Sequence, residues 1–102
     1  MPINESSEFS DVVTDNYVSG AISVSTTQTE AKVGGSRLSG RECLRIYNNS
    51  TTTIYFGPTG LTSSTGEPIY KGQGVTIMVG DIGVYLRTAS GTASDVRIQE
   101  LA

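Results

Sequence analysis

The chain has 102 residues, a net charge of −3, no histidine, no tryptophan and one cysteine, Cys43. That length holds one domain and leaves no room for a second core. Without histidine there is no Ser–His–Asp or Cys–His catalysis and no common general acid–base group. A lone cysteine rules out an intrachain disulfide and a cysteine-rich zinc site.

Leu, Ile, Val and Phe together number 24, a little above the roughly 20% below which chains stay disordered. A core is available, but a thin one. Ser and Thr number 13 each, a composition suited to strands and turns with a soluble, weakly charged surface. Small domains bury proportionally less surface, which makes oligomerisation or docking a source of extra stability.

Residues 1–16 carry Glu5, Glu8, Asp11 and Asp15 and no basic residue, whereas all seven basic residues lie after them. The chain therefore reads as an extended acidic N-terminal arm, 1–16, joined to a nearly neutral body, 17–102. Phe9, Val12, Val13 and Tyr17 punctuate the arm and its junction. A purely solvating tail has no use for them, so they read as side chains that order on a partner. Met1-Pro2-Ile3-Asn4-Glu5 has neither the basic n-region nor the apolar h-region of a secretory signal. No stretch approaches the ~18 apolar residues of a membrane span. Synthesis in a cytoplasm without membrane contact is the expectation.

From Tyr17 onward apolar residues recur with a period of two. Ile22 and Val24 alternate with serines, and Ala31 and Val33 flank Lys32. Gly34-Gly35-Ser36 and Ser39-Gly40 bracket a turn region around Arg37 and Leu38. Cys43 falls on a strand, where an inert buried thiol is expected. Leu44 and Ile46 share one face, with Arg45 and Tyr47 opposite. Asn48-Asn49-Ser50 has the chemistry of a hairpin turn. Ile54 and Phe56 form the next strand, stopped by Gly57-Pro58 because proline cannot donate to a ladder.

Leu61 to Gly66 is a Thr/Ser loop, followed by a short strand at Ile69 and a Lys71-Gly72-Gln73-Gly74 turn. Val75, Ile77 and Val79 alternate next. After Gly80-Asp81-Ile82-Gly83 come Val84 and Leu86, and after Ser90-Gly91 the last strand turns Val96 and Ile98 inward with Arg97 and Gln99 outward. About seven or eight strands with regular turns predict an all-β antiparallel sandwich or jelly-roll-like barrel without helix.

Sites of chemistry are not apparent in this pattern. The ten acids are dispersed and match no calcium-loop spacing, so no metal or cofactor is expected. A glycosidase-type carboxylate pair cannot be read from sequence alone. The glycine pairs open no helix and are turns rather than phosphate cradles. Arg37, Arg41 and Arg45 sit four apart, but the turn-then-strand context leaves only Arg41 and Arg45 to share a face. The acidic balance disfavours nucleic acid. These arginines read as salt-bridge partners of Glu42 and its neighbours, or as contacts to another subunit. Tyr47, Tyr55 and Tyr85 point outward by alternation, as cross-strand pairs or a contact surface.

The run Arg41-Glu42-Cys43-Leu44-Arg45-Ile46-Tyr47-Asn48-Asn49-Ser50, then Thr53-Ile54-Tyr55-Phe56-Gly57-Pro58, Thr65-Gly66-Glu67-Pro68-Ile69, Val84-Tyr85-Leu86 and Val96-Arg97-Ile98-Gln99-Glu100, resembles small virion structural proteins of tailed bacteriophages. The resemblance covers roughly Ala31 to Leu101. It implies a non-enzymatic head decoration or cement protein on the capsid exterior. Its implied partners are the major capsid protein and neighbouring copies of itself, as a trimer or dimer. Phe9, Val12, Val13, Tyr17, Arg37 and Arg41 are the partner-binding candidates. The alternative is a receptor- or glycan-binding module of a tail, neck or head fibre, with Leu61–Gly66 and the outward tyrosines in contact.

Overall fold

The computed structural model describes residues 16–102 as eight strands, with no helix among them. They are β1 (Tyr17–Val24), β2 (Thr29–Glu30), β3 (Cys43–Asn48), β4 (Ile54–Gly57), β5 (Glu67–Ile69), β6 (Gly74–Ile77), β7 (Tyr85–Thr88) and β8 (Ala93–Leu101). One sheet has the order β1-β8-β3-β6 and the other β2-β7-β4-β5, with every neighbouring pair antiparallel. Only β4 and β5 are both consecutive and paired. All six other connections cross between the sheets, which is the wiring of an eight-stranded jelly roll. The expected sandwich class holds, and the strand order resolves it to this topology.

The alternation works as read from sequence. Val24, Leu44, Ile46, Val96 and Ile98 from one sheet meet Ile54, Ile69 and Leu86 from the other, and all are essentially solvent-free. Ile22, Val33, Phe56, Val75, Ile77 and Val79 pack around this centre. Burying a side chain of this kind contributes about 1.5–3 kcal/mol relative to exposure. Cys43 opens β3 as a buried free thiol.

One turn departs from expectation. Asn48-Asn49-Ser50 does not close a hairpin, because β3 and β4 belong to different sheets. It is a corner, and the fully buried Asn48 builds it. Its Nδ2 donates to the carbonyls of Thr52 (2.8 Å) and Ile69 (2.9 Å). Its Oδ1 accepts from the Ser50 amide (3.0 Å) and hydroxyl (2.7 Å). The side chain thus satisfies backbone groups that lose ladder partners where the chain changes sheets. Turn propensity alone does not distinguish a corner from a hairpin, since both favour Asn.

The edges of the second sheet are short. β2 has two residues and β5 three, and Pro68 lies in β5 opposite Tyr55. A proline is tolerated there because an edge strand leaves one side unpaired, and brevity with proline blunts further strand addition.

Candidate interaction surface

Side chains at one end of the sandwich include two of the partner-binding candidates. The Arg41 guanidinium donates to Glu100 Oε2 at 2.8 Å, and both side chains are shut off from solvent. It also donates to the carbonyls of Gly80 (3.0 Å), Ile82 (2.7 Å) and Ala31 (3.4 Å). Glu100 in turn accepts the amides of Val33 (3.0 Å) and Leu38 (3.3 Å). Arg41 precedes β3 rather than sharing a strand face with Arg45, and its carboxylate partner is Glu100, not the adjacent Glu42. An enclosed guanidinium with this many partners belongs to the fold's interior, so the surface role expected for Arg41 is corrected.

Arg37 is only partly enclosed. It donates from Nη1 to Glu30 (2.6 Å) and from Nε to Asp81 (3.0 Å). The Asp81 hydrogen bond, against some desolvation, raises its already high pKa with help from Glu30. Both arginines therefore pin the 31–42 segment to the 80–83 turn. Tyr17 alone among the described candidates is free for contact, 60% exposed at the start of β1. Phe9, Val12 and Val13 lie outside the described residues.

Near Tyr17 the pairing register lines up an apolar row. Tyr17 faces Leu101, and Leu101 faces Cys43. Met78 follows β6 and is 72% exposed, with Ile82 at 67% in the next turn. Sheet spacing puts Tyr17 and Met78 about 14 Å apart, three strand separations. Asn16 marks where the acidic segment joins, since its amide and carbonyl pair with Ala102 at 2.9 and 2.8 Å.

Further along the same outer face lies a depression of about 550 Å³ whose lining includes Ser19, Arg45, Tyr47, Asp95, Arg97 and Gln99. Register explains the grouping: Ala21, Arg97 and Tyr47 form one cross-strand row, and Ser19, Gln99, Arg45 and Thr76 the next. A β-bulge also contributes. Between the pairs Ile22–Val96 and Val24–Ala93, one residue of β1 opposes two of β8, Ser94 and Asp95. Bulges re-aim side chains, and here Asp95 grips Arg97 with two bonds, 2.7 and 2.8 Å. Asn49 Nδ2 donates to the same carboxylate at 2.8 Å. The Arg97 bond first, then the Asn49 bond, hold Asp95 down at about 2.

Arg45 differs from Arg97. It donates to Thr76 Oγ1 at 3.0 Å, and among the described residues no carboxylate lies within ion-pair distance of it. Its guanidinium lies across Gly74, where a Cβ would stand 2.7 Å from Nη2. Glycine thus lets the charged plane lie flat over β6.

Alternation marks Arg45, Tyr47, Arg97 and Gln99 as outward-facing, but their convergence with Ser19 and Asp95 depends on strand order and the bulge. Among the described residues no group of three or more His, Cys, Asp or Glu side chains could hold a metal ion. No family model, curated protein or solved structure matches this chain.

Proposed function

We propose that the chain is a non-enzymatic virion structural protein, a decoration or cement protein that bridges major capsid protein subunits on the exterior of a phage head. The observation that carries this reading is the end of the sandwich at Asn16. There the β-sandwich adjoins an acidic stretch of the sequence, and exposed Tyr17 sits at the junction, with exposed Met78 about 14 Å away across the same sheet. A block that must clasp neighbours needs an unyielding scaffold, an apolar contact and a reaching segment. Fifteen residues reach up to about 50 Å when extended. Modest contacts repeated over a lattice then give strong attachment. Eight-stranded jelly rolls host viral capsid domains, which supports the reading as fold-level analogy.

Quantitative mass spectrometry of purified virions tests it. Occupancy in the hundreds of copies is expected, and deletion of residues 1–15 leaves a folded body that no longer decorates particles. A handful of copies per particle, or undiminished decoration by the truncated chain, refutes the proposal.

The polar depression favours a second reading, a receptor- or glycan-binding module of a fibre or tail tip. Jelly rolls also host lectins, and Tyr47 offers a ring beside hydrogen-bonding Arg, Asp and Gln groups. Binding on a glycan array that is lost in Tyr47→Ala selects this reading.

A further inference from the structure

We infer that the depression on the outer face of β1, β8 and β3 receives the acidic leader, residues 5–15, of a neighbouring copy, linking the chains head to tail. The inference rests on the reading of that leader as a docking segment and names the surface that takes it.

Charge is the first argument. The leader carries four carboxylates and no cation. In the depression Asp95 offsets Arg97, which leaves Arg45 as the cation of its lining with no ion-pair carboxylate among the described residues, packed over Gly74 and bonded to Thr76. A guanidinium fixed in place loses little further freedom on binding a carboxylate, and its planar fork suits that partner.

Spacing is the second argument. In an extended peptide Phe9, Asp11, Val13 and Asp15 share one side, about 6.6 Å apart. Arg45 and Tyr47 are likewise two residues apart on one face of β3. A peptide laid along that strand sets a carboxylate against Arg45 while an apolar side chain meets the Tyr47 ring.

Chain direction selects a neighbour over the same copy. The paired hydrogen bonds between Asn16 and Ala102 hold Asn16 in line with β1. Asn16, where the leader joins, therefore lies beyond the Leu101 end of the sheet, while the depression sits inboard at the level of Ser19 to Ala21. Reaching its own depression requires the leader to double back over the sheet. A neighbour's depression is met by continuing outward. Such a contact is heterologous, and it closes into a ring when the rotation between copies allows.

Sedimentation velocity of the full chain at low and near-molar salt tests this. Wild-type protein is expected to self-associate with rising concentration, and salt weakens the association about tenfold by screening the exposed charges. Arg45→Glu reduces association at least as much without lowering the melting temperature, and Arg45→Gln reduces it less. Asp11→Lys/Asp15→Lys also self-associates poorly. Mixed with Arg45→Glu at equal concentration it forms mixed oligomers, because one leader and one depression again complement each other. A wild-type chain that stays monomeric, an Arg45→Glu chain that associates normally, or a mixture that fails to assemble overturns the inference. Copy number and leader dependence on virions are read separately, so the leader can be shown to dock on a capsid protein while this self-association fails.

Discussion

Arg41 and Glu100 meet at 2.8 Å across 59 positions of sequence, and between them they bind five backbone groups of the 31–38 and 80–82 segments. The pair is less a source of net Coulombic stability than a junction. Desolvating both charges offsets much of their attraction. The surrounding carbonyls and amides, however, have these side chains as hydrogen-bond partners.

Removing one member therefore strands a charge. Arg41→Met and Glu100→Gln are each expected to cost about 3–5 kcal/mol, measured by urea denaturation. The double variant Arg41→Met/Glu100→Leu distinguishes a junction from an isolated ion pair. An isolated pair is often replaced by apolar groups without loss. Here stability is expected to stay well below wild type, because the backbone groups remain unsatisfied. Recovery in the double variant contradicts the junction.

Asp95 makes stability depend on acid. Its carboxyl is held at about 2 by Arg97 and Asn49, below its ordinary 3.8. Because the folded value is the lower, the contribution is fully present above about pH 4 and is lost as pH falls toward 2. Denaturation midpoints followed through that window are expected to fall more steeply for wild type than for Asp95→Asn. Parallel curves assign the acid sensitivity elsewhere.

Asn48 should resist even conservative change. Asn48→Asp keeps the shape and replaces the two-donor Nδ2 with an acceptor facing the carbonyls of Thr52 and Ile69. Asn48→Ala removes the donor to the Ile69 carbonyl and the acceptor of the Ser50 amide, while the Ser50 hydroxyl keeps its bond to the Thr52 carbonyl. Each change is expected to cost about 3 kcal/mol, from the 1–3 kcal/mol for each unsatisfied buried group, with thermal unfolding as the readout. Equal melting temperatures for Asn48→Ala and wild type exclude the corner as a stabilising element.

The strands were largely legible in the sequence because each has one wet face. Leu44 and Ile46 against Arg45 and Tyr47, or Val96 and Ile98 against Arg97 and Gln99, report burial directly through period two. What period two does not carry is pairing. Asn48 looked like a hairpin residue because a corner and a hairpin use the same side-chain chemistry. Arg41 looked exposed because arginine usually is, and its buried carboxylate partner lies 59 positions away. The depression was legible only as scattered outward residues. Strand order brings Ser19 beside Gln99 and Arg45, and the bulge that aims Asp95 at Arg97 arises from a register shift no local pattern announces.

The position of β8 also bears on how the protein comes into being. This strand, the last in chain order among the described residues, sits between β1 and β3 in the middle of its sheet. During synthesis β1 waits at the ribosome with no neighbour until some seventy further residues have been made. Such non-local pairing slows folding and leaves unpaired edges exposed in the meantime. The nascent chain is thus at its most vulnerable to aggregation before β8 emerges, and a chain cut short at residue 90 cannot complete this sheet.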